Sequence, residues 1–133
     1  MASEPVLVDT SFWIEFFNRP DSEEAASVEA VIREDRVALT GVVLAELLRG
    51  SRTEEEASRL QAALGAVAWV EVTRSVYARA GRLGFELRRR GVTVPVTDCI
   101  IAASAETIGG RILTLDGHFE ELARVATLTV LAG

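Results

Sequence analysis

Lysine is missing from this chain: all 14 basic residues are arginine. A Walker-type phosphate loop, whose lysine holds nucleotide phosphates, is therefore excluded. So is Schiff-base or pyridoxal chemistry, which needs a lysine amine. Histidine and cysteine occur once each, as His118 and Cys99. One of each cannot build a structural zinc site. A lone cysteine forms no internal disulfide, which points to a reducing compartment, the cytoplasm. No apolar run approaches the roughly 20 residues of a membrane span. The N-terminus lacks the basic and apolar regions of a signal peptide, so no membrane association is expected. Only three residues are proline and 49% are apolar, a globular rather than a disordered composition. At 133 residues the chain is expected to form a single domain, residues 1–133, with a real core.

Twenty acids outweigh the arginines, for a formal charge of −6. Phosphate neutralisation drives nucleic-acid binding, so an acidic chain can bind it only through a local basic patch or a metal that inverts the local charge.

Short apolar runs alternate with helical patterns. Pro5 to Asp9 reads as a buried strand ending in an acid. Thr10 and Ser11 are expected to cap a helix through Phe12, Trp13, Phe16 and Phe17, stopped at Pro20. Asp21-Ser22 opens a second helix with Ala25, Val28, Val31 and Ile32 along one stripe. Strand Arg36–Thr40 leads into an apolar helix from Gly41 to Arg49. Thr53 and Glu56 form a capping box, and Ala57, Leu60 and Leu64 should face inward behind it. A third strand at Trp69–Val72 precedes a long helix from Thr73, with Val76, Ala80, Leu83 and Leu87 on its inner face. A loop through Pro95 leads to Thr97-Asp98 and a helix closed by Gly109-Gly110. Strand Arg111–Leu115 ends at Asp116, a short helix carries Phe119 and Leu122, and Thr127–Leu131 is a last strand. This order predicts an α/β sandwich with a mainly parallel sheet. Such sheets place their sites beyond the carboxyl ends of the strands.

The acids divide by position. The chain has 15 glutamates and five aspartates, and most glutamates lie on polar helix faces. Three aspartates do not: Asp9 follows the first strand, Asp116 the fourth, and Asp98 opens a helix after the proline loop. Each has a plain alternative. Asp98 suits a helix N-terminus, with Thr97 as its cap, and Asp116-Gly117 is a common turn pair. Glu46 sits in a helix that is apolar on nearly every side, so it faces either a narrow wet stripe or a pocket. Three or four converging carboxylates repel one another unless some are protonated or a cation intervenes. Oxygen ligands with room for water suit Mg²⁺ or Mn²⁺. Setting the four acids aside brings the formal charge from −6 to −2, so the acidity is partly a property of this site.

Val6-Leu7-Val8-Asp9-Thr10-Ser11, Glu46 in its apolar helix, Asp98-Cys99-Ile100-Ile101-Ala102-Ala103-Ser104-Ala105 and Leu113-Thr114-Leu115-Asp116-Gly117-His118-Phe119 together resemble a PIN domain. The likeness is to the VapC toxins of bacterial toxin–antitoxin modules, and it spans essentially the whole chain. It implies a three-layer α/β/α sandwich and a metal-dependent endoribonuclease. Asp9, Glu46, Asp98 and Asp116 would be its catalytic, metal-binding acids, with Mg²⁺ or Mn²⁺ as cofactor. Thr10 or Ser11 and Thr114 would steady those carboxylates. RNA as substrate, a cognate VapB-type antitoxin and a homodimer are implied as partners.

Two other functions are weighed against this one. A phosphoryl-transfer or receiver domain also uses aspartates and Mg²⁺, but the absence of lysine counts against it. A catalytically inactive PIN-like interaction module would be expected to have lost an acid. Arg88-Arg89-Arg90 either complements a helix C-terminus or contacts phosphate; Arg49 and Arg52 are weaker candidates for RNA or for an inhibitor's acidic tail. His118 is expected to be packed or exposed rather than a ligand.

Overall fold

Val6, Leu7 and Val8 are fully buried, and this three-residue strand, β1 (Val6–Val8), is the centre of the sheet. An apolar strand with no polar alternation has to be covered on both faces. The computed structural model describes residues 4–131. From β1 the chain runs through α1 (Thr10–Asn18) and α2 (Glu23–Arg33) to β2 (Val37–Thr40). It continues through α3 (Gly41–Arg49) and α4 (Glu54–Leu64) to β3 (Ala68–Val70). Then α5 (Arg74–Arg89) and α6 (Val96–Glu106) lead back across the sheet to β4 (Arg111–Leu113), and α7 (His118–Leu122) leads to β5 (Thr129–Leu131).

The strand order is β3-β2-β1-β4-β5, with every pair parallel. Parallel crossovers are right-handed. The chain moves outward from β1 to β3 and then returns past β1 to β4, so the two directions place their helices on opposite faces. α1 to α4 cover one face; α5, α6 and α7, packed on one another, cover the other. This is the expected three-layer sandwich, with a sheet wholly rather than mainly parallel.

The inner face of α5 is Val76, Ala80, Leu83 and Leu87, all buried, as the spacing predicts. Against it lies α6, where Cys99, Ile101, Ala102, Ala103, Ser104 and Ala105 are all buried. Small residues let α6 fit between α5 and the sheet, and the Ser104 hydroxyl is satisfied by the Ile100 carbonyl at 2.7 Å. The α6–β4 turn requires glycine at Gly110: φ is +83°, and a Cβ there would collide with the Thr127 carbonyl.

Four local expectations are corrected. Ile32 is 39% exposed, because the inner stripe of α2 ends at Val31. Ala57 is only half-buried beside the buried Leu60 and Leu64. Thr97 lies inside α6, whose N-cap is Pro95. Thr10 and Ser11 lie within the first turn of α1, whose N-cap is Asp9, and no side chain caps that helix. The Thr53 cap does form, donated to by the Glu56 amide at 3.0 Å.

Glu106, at the end of α6, holds the far side together. Arg79 of α5 donates to both its oxygens, at 2.8 and 3.0 Å, and the Thr127 amide donates at 2.7 Å ahead of β5. The Arg79 hydrogen bond is the main cause holding the Glu106 carboxyl below its ordinary value of 4.5. A carboxyl lowered in the folded state binds fewer protons there than in the unfolded chain. Its contribution is therefore complete above the ordinary value and is lost as pH falls through the folded one. Glu106→Gln should cost roughly 0.5–1 kcal/mol at pH 7. Urea melts should show the gap closing towards pH 3; a gap unchanged at pH 3 would assign the loss to something other than this pair.

Candidate active site

β1 and β4 are parallel neighbours in the register Val8↔Leu113. The residues just beyond them, Asp9 and Thr114, therefore emerge side by side, and the Asp9 amide donates to the Leu113 carbonyl at 2.9 Å. Here, between β1 and β4, the chain reverses its direction across the sheet, the crevice where open parallel sheets bind ligands. Asp9 is 5% exposed. Its Oδ2 accepts from the Thr114 hydroxyl at 2.8 Å and the Ser11 hydroxyl at 3.2 Å. The Ser11 oxygen in turn accepts from the Leu115 amide at 3.0 Å, and the Thr114 oxygen accepts from the Asp116 amide at 3.0 Å. The hydroxyls thus tie the start of α1 to the loop after β4.

Asp98 reaches the same place from the first turn of α6 and is buried. Its Oδ2 lies 2.9 Å from His118 Nδ1, which is also 3.1 Å from Asp116 Oδ1. Asp98, Asp116 and His118 each offer a ligand atom, and the three atoms lie within 4.8 Å of one another. Asp116 keeps its turn role as well, because its Oδ1 accepts from the His118 amide at 2.9 Å. Gly117 has φ −62°, so nothing in this turn demands glycine. From the sequence alone, His118 is expected to be packed or exposed rather than a ligand. It is 44% exposed, yet its imidazole bridges two carboxylates. The signal was its position two residues after Asp116, the span of an Asx-type turn.

The electrostatics match this crowding. Burial, reinforced by the charge of Asp116, raises the Asp9 carboxyl, while Thr114 and Ser11 oppose it. Burial first, with the charges of Asp116 and Asp9 adding, pushes Asp98 up to about 6 against the His118 hydrogen bond. That hydrogen bond is the main cause raising the His118 imidazole. Two buried carboxylates that resist ionisation, Asp9 and Asp98, in a site made largely of oxygen donors fit a hard divalent cation.

Glu46 stands at one remove. It projects from α3, half-buried, and its Oε1 accepts from the Thr10 hydroxyl at 2.8 Å. Thr10 thus joins it to the residue beside Asp9. It also lines a groove of about 690 Å³ with Ile14, Phe17, Leu47, Leu60, Arg52 and Arg59. Of the predicted arginines, Arg49 is exposed in the last turn of α3. Arg88, Arg89 and Arg90 are exposed at the end of α5, and among the described residues none pairs with a site carboxylate.

The PIN domain family model matches residues 6–125. "VapC ribonuclease Mb1587" of Mycobacterium bovis is 31% identical over 127 residues, 92% of this chain and 95% of its own. "Ribonuclease VapC19" of Mycobacterium tuberculosis is 29% identical over 114 residues, 85% of this chain and 90% of its own. Among solved structures, a chain of VapBC2 from Rickettsia felis, bound to a promoter DNA fragment, superposes with a TM-score of 0.79 at 21% identity, covering 96% of this chain and 98% of that one. VapBC-5 from Mycobacterium tuberculosis superposes with a TM-score of 0.70 at 26% identity, covering 98% and 100%. The chain belongs to the PIN-domain family and, within it, to the VapC ribonucleases. Among the described residues, no helix is long and apolar enough to cross a membrane.

Mutual repulsion in the cluster makes a stability prediction. Without divalent cation at pH 7.5, Asp98→Asn should melt higher than the parent by roughly 3–5 °C, the shift that about 1 kcal/mol produces in a domain of this size. Adding Mg²⁺ or Mn²⁺ should raise the parent's melting point and leave the variant's nearly unmoved. A variant that melts lower in EDTA would show that the carboxylates do not oppose one another.

Proposed function

We propose that this chain, acting as one domain, is the toxin of a toxin–antitoxin pair and an endoribonuclease that cuts RNA with Mg²⁺ or Mn²⁺. The observation that carries this reading is the convergence of Asp9, Asp98 and Asp116 at the carboxyl edge of the sheet in a chain related to VapC ribonucleases. Asp9, Asp98 and Asp116 would hold the ion, and Glu46 would hold a second ion or orient the attacking water. A cation held there supplies a water of lowered pKa and positive charge beside the phosphate oxygens.

The chain's own groups do the rest. Thr114 and Ser11 fix the orientation of the Asp9 carboxylate, and Thr10 does the same for Glu46. Hydroxyls that orient ligand carboxylates matter by about 10–100-fold in affinity or activity, and that is the loss expected of Thr114→Val. His118 hydrogen-bonds Asp98; its nitrogen is a poorer donor for Mg²⁺ than the carboxylates, so it acts as their neighbour rather than as a ligand. Arg88, Arg89 and Arg90, with Arg49 more remotely, contact RNA phosphates.

The groove beside Glu46 takes a segment of the cognate VapB-type antitoxin. Ile14 and Phe17 are exposed apolar residues on its wall, and Arg52 and Arg59 suit an acidic tail. The structural relatives are VapBC proteins, which supports a partner of this kind. The protein works in the cytoplasm as a homodimer; sedimentation showing only monomer at high concentration would overturn the dimer.

The parent protein and Asp9→Asn should be incubated with total RNA in Mg²⁺, Mn²⁺ or EDTA. The parent should cut in either metal and leave 5′-phosphate and 3′-hydroxyl ends. Asp9→Asn should fall to the level of the EDTA control. Ends carrying 2′,3′-cyclic phosphate would overturn hydrolysis by metal-activated water, and cutting that survives Asp9→Asn would overturn the site. For the groove, Phe17→Glu should keep the nuclease but weaken inhibition by the antitoxin at least about 30-fold, as loss of a buried aromatic anchor does. Unchanged inhibition would place the antitoxin elsewhere.

A further inference from the structure

The acidic site does not explain how an acidic protein holds RNA. The answer lies on the outer face of α5. Between residues 74 and 90 the chain has six of its arginines and one glutamate, Glu86. Arg79 is committed to Glu106, and Arg89 lies 3.7 Å from Glu86. Among the described residues, Arg82, Arg88 and Arg90 have no carboxylate within ion-pair distance. In the middle of this basic strip is Phe85, 45% exposed, with the Arg82 and Arg89 guanidinium carbons 5.6 and 5.7 Å from its ring centre.

Beside Phe85 is an open cavity of about 220 Å³. Gly81 and Gly84 form its floor on α5, Arg88 and Thr93 stand at its edge, and Val96 and Cys99 of α6 close the other side. A Cβ at Gly81 would meet nothing within 4 Å. The cavity is shallow and mostly apolar; Arg88 is the one arginine in its lining, and Arg82 and Arg89 stand next to it at the Phe85 ring. The cavity lies at the same end of α6 as the acid cluster, since Val96 and Cys99 share the first turn of that helix with Asp98.

We propose that this cavity is a nucleobase subsite: one unpaired base of the RNA stacks on Phe85 over Gly81 and Gly84, while the flanking phosphates lie along Arg82, Arg88 and Arg90. The proposal rests on the ribonuclease reading and deepens it by giving the substrate a place to be held beside the cluster. Base stacking on an aromatic face with arginine at its edge is how single strands are held without reading sequence. Charge favours RNA over a second copy of this chain. Two copies meeting face to face here would bring two arginine strips together, and like charges opposed across an interface are costly.

The test uses an RNA oligonucleotide that the parent protein cuts, remade as a series with one abasic position at a time. With the parent, one position next to the cleaved bond should cost about tenfold in affinity when its base is removed. Phe85→Ala and Gly81→Leu, which fills the cavity, should each lose about tenfold on the intact oligonucleotide and then be indifferent to the missing base. Leucine is a better helix former than glycine, so Gly81→Leu should melt no lower than the parent. Arg88→Gln should reduce the slope of log affinity against log salt by about 0.7. Losses that simply add to the abasic loss at every position would overturn the subsite. So would variants that shift the sedimentation equilibrium towards monomer, which would make this face a subunit interface. If the parent cuts total RNA but no abasic position matters, the subsite alone falls. If the parent neither cuts nor binds RNA, the ribonuclease reading falls with it.

Discussion

The structure depends on the cost of gathering buried carboxylates at one point. Asp9 cannot leave: it ends the central strand, and its amide is already in the ladder to β4. Asp98 sits in the first turn of a helix buried on nearly every side. A helix N-terminus favours a negative charge, yet burial and the neighbouring acids overcome that preference and leave the carboxyl at about 6. The hydroxyls around the site offset part of this cost. Asp9 is the N-cap residue of α1, yet its carboxylate is held by Thr114 and Ser11 and makes no cap hydrogen bond, so α1 begins without a side-chain cap. Thr10, in the first turn, turns its hydroxyl to Glu46. A missing cap costs about 1 kcal/mol. The fold therefore gives up local helix stability to orient two carboxylates, the trade expected where function and stability compete.

The same constraint explains what could be read in advance and what could not. Apolar strands ending in aspartate were visible at Asp9 and Asp116 because burial and strand length leave a local pattern. The inner face of α5 was visible because Val76, Ala80, Leu83 and Leu87 repeat at helical spacing. The partners of the acids leave no such local pattern; Thr10, Ser11 and Thr114 are implied only by the family resemblance. Ser11 and Thr114 are 103 residues apart, and Thr10 and Glu46 are 36 apart. Nothing near Thr10 tells that its hydroxyl crosses to another helix rather than capping its own. His118 was missed because one histidine in a short amphipathic helix looks like surface, which by exposure it partly is. Only the fold brings the Asp98 carboxylate to its Nδ1. Glu46 remained ambiguous for a similar reason, since a wet stripe and a groove wall give the same helical pattern, and it lines the groove.

Charge is segregated rather than averaged. The acids that matter lie at the carboxyl edge of the sheet, and a basic strip runs along the outside of α5. α5 can bear so many arginines because its folding is settled by four buried residues on the opposite face. The exposed positions contribute little to the core, so their composition is free to serve another purpose. That every cation is arginine strengthens the point. A lysine ammonium is a hydrated point charge, whereas a guanidinium stays ionised, forks onto phosphate and lies flat against an aromatic ring. The Arg82 and Arg89 guanidinium carbons already lie 5.6 and 5.7 Å from the centre of the Phe85 ring. In the binding mode proposed above, an acidic protein with such a strip repels polyanions from most of its surface and admits them along α5. Net charge and binding are then not in conflict: the bulk negative charge narrows the approaches, and the strip supplies the attraction where the chemistry is.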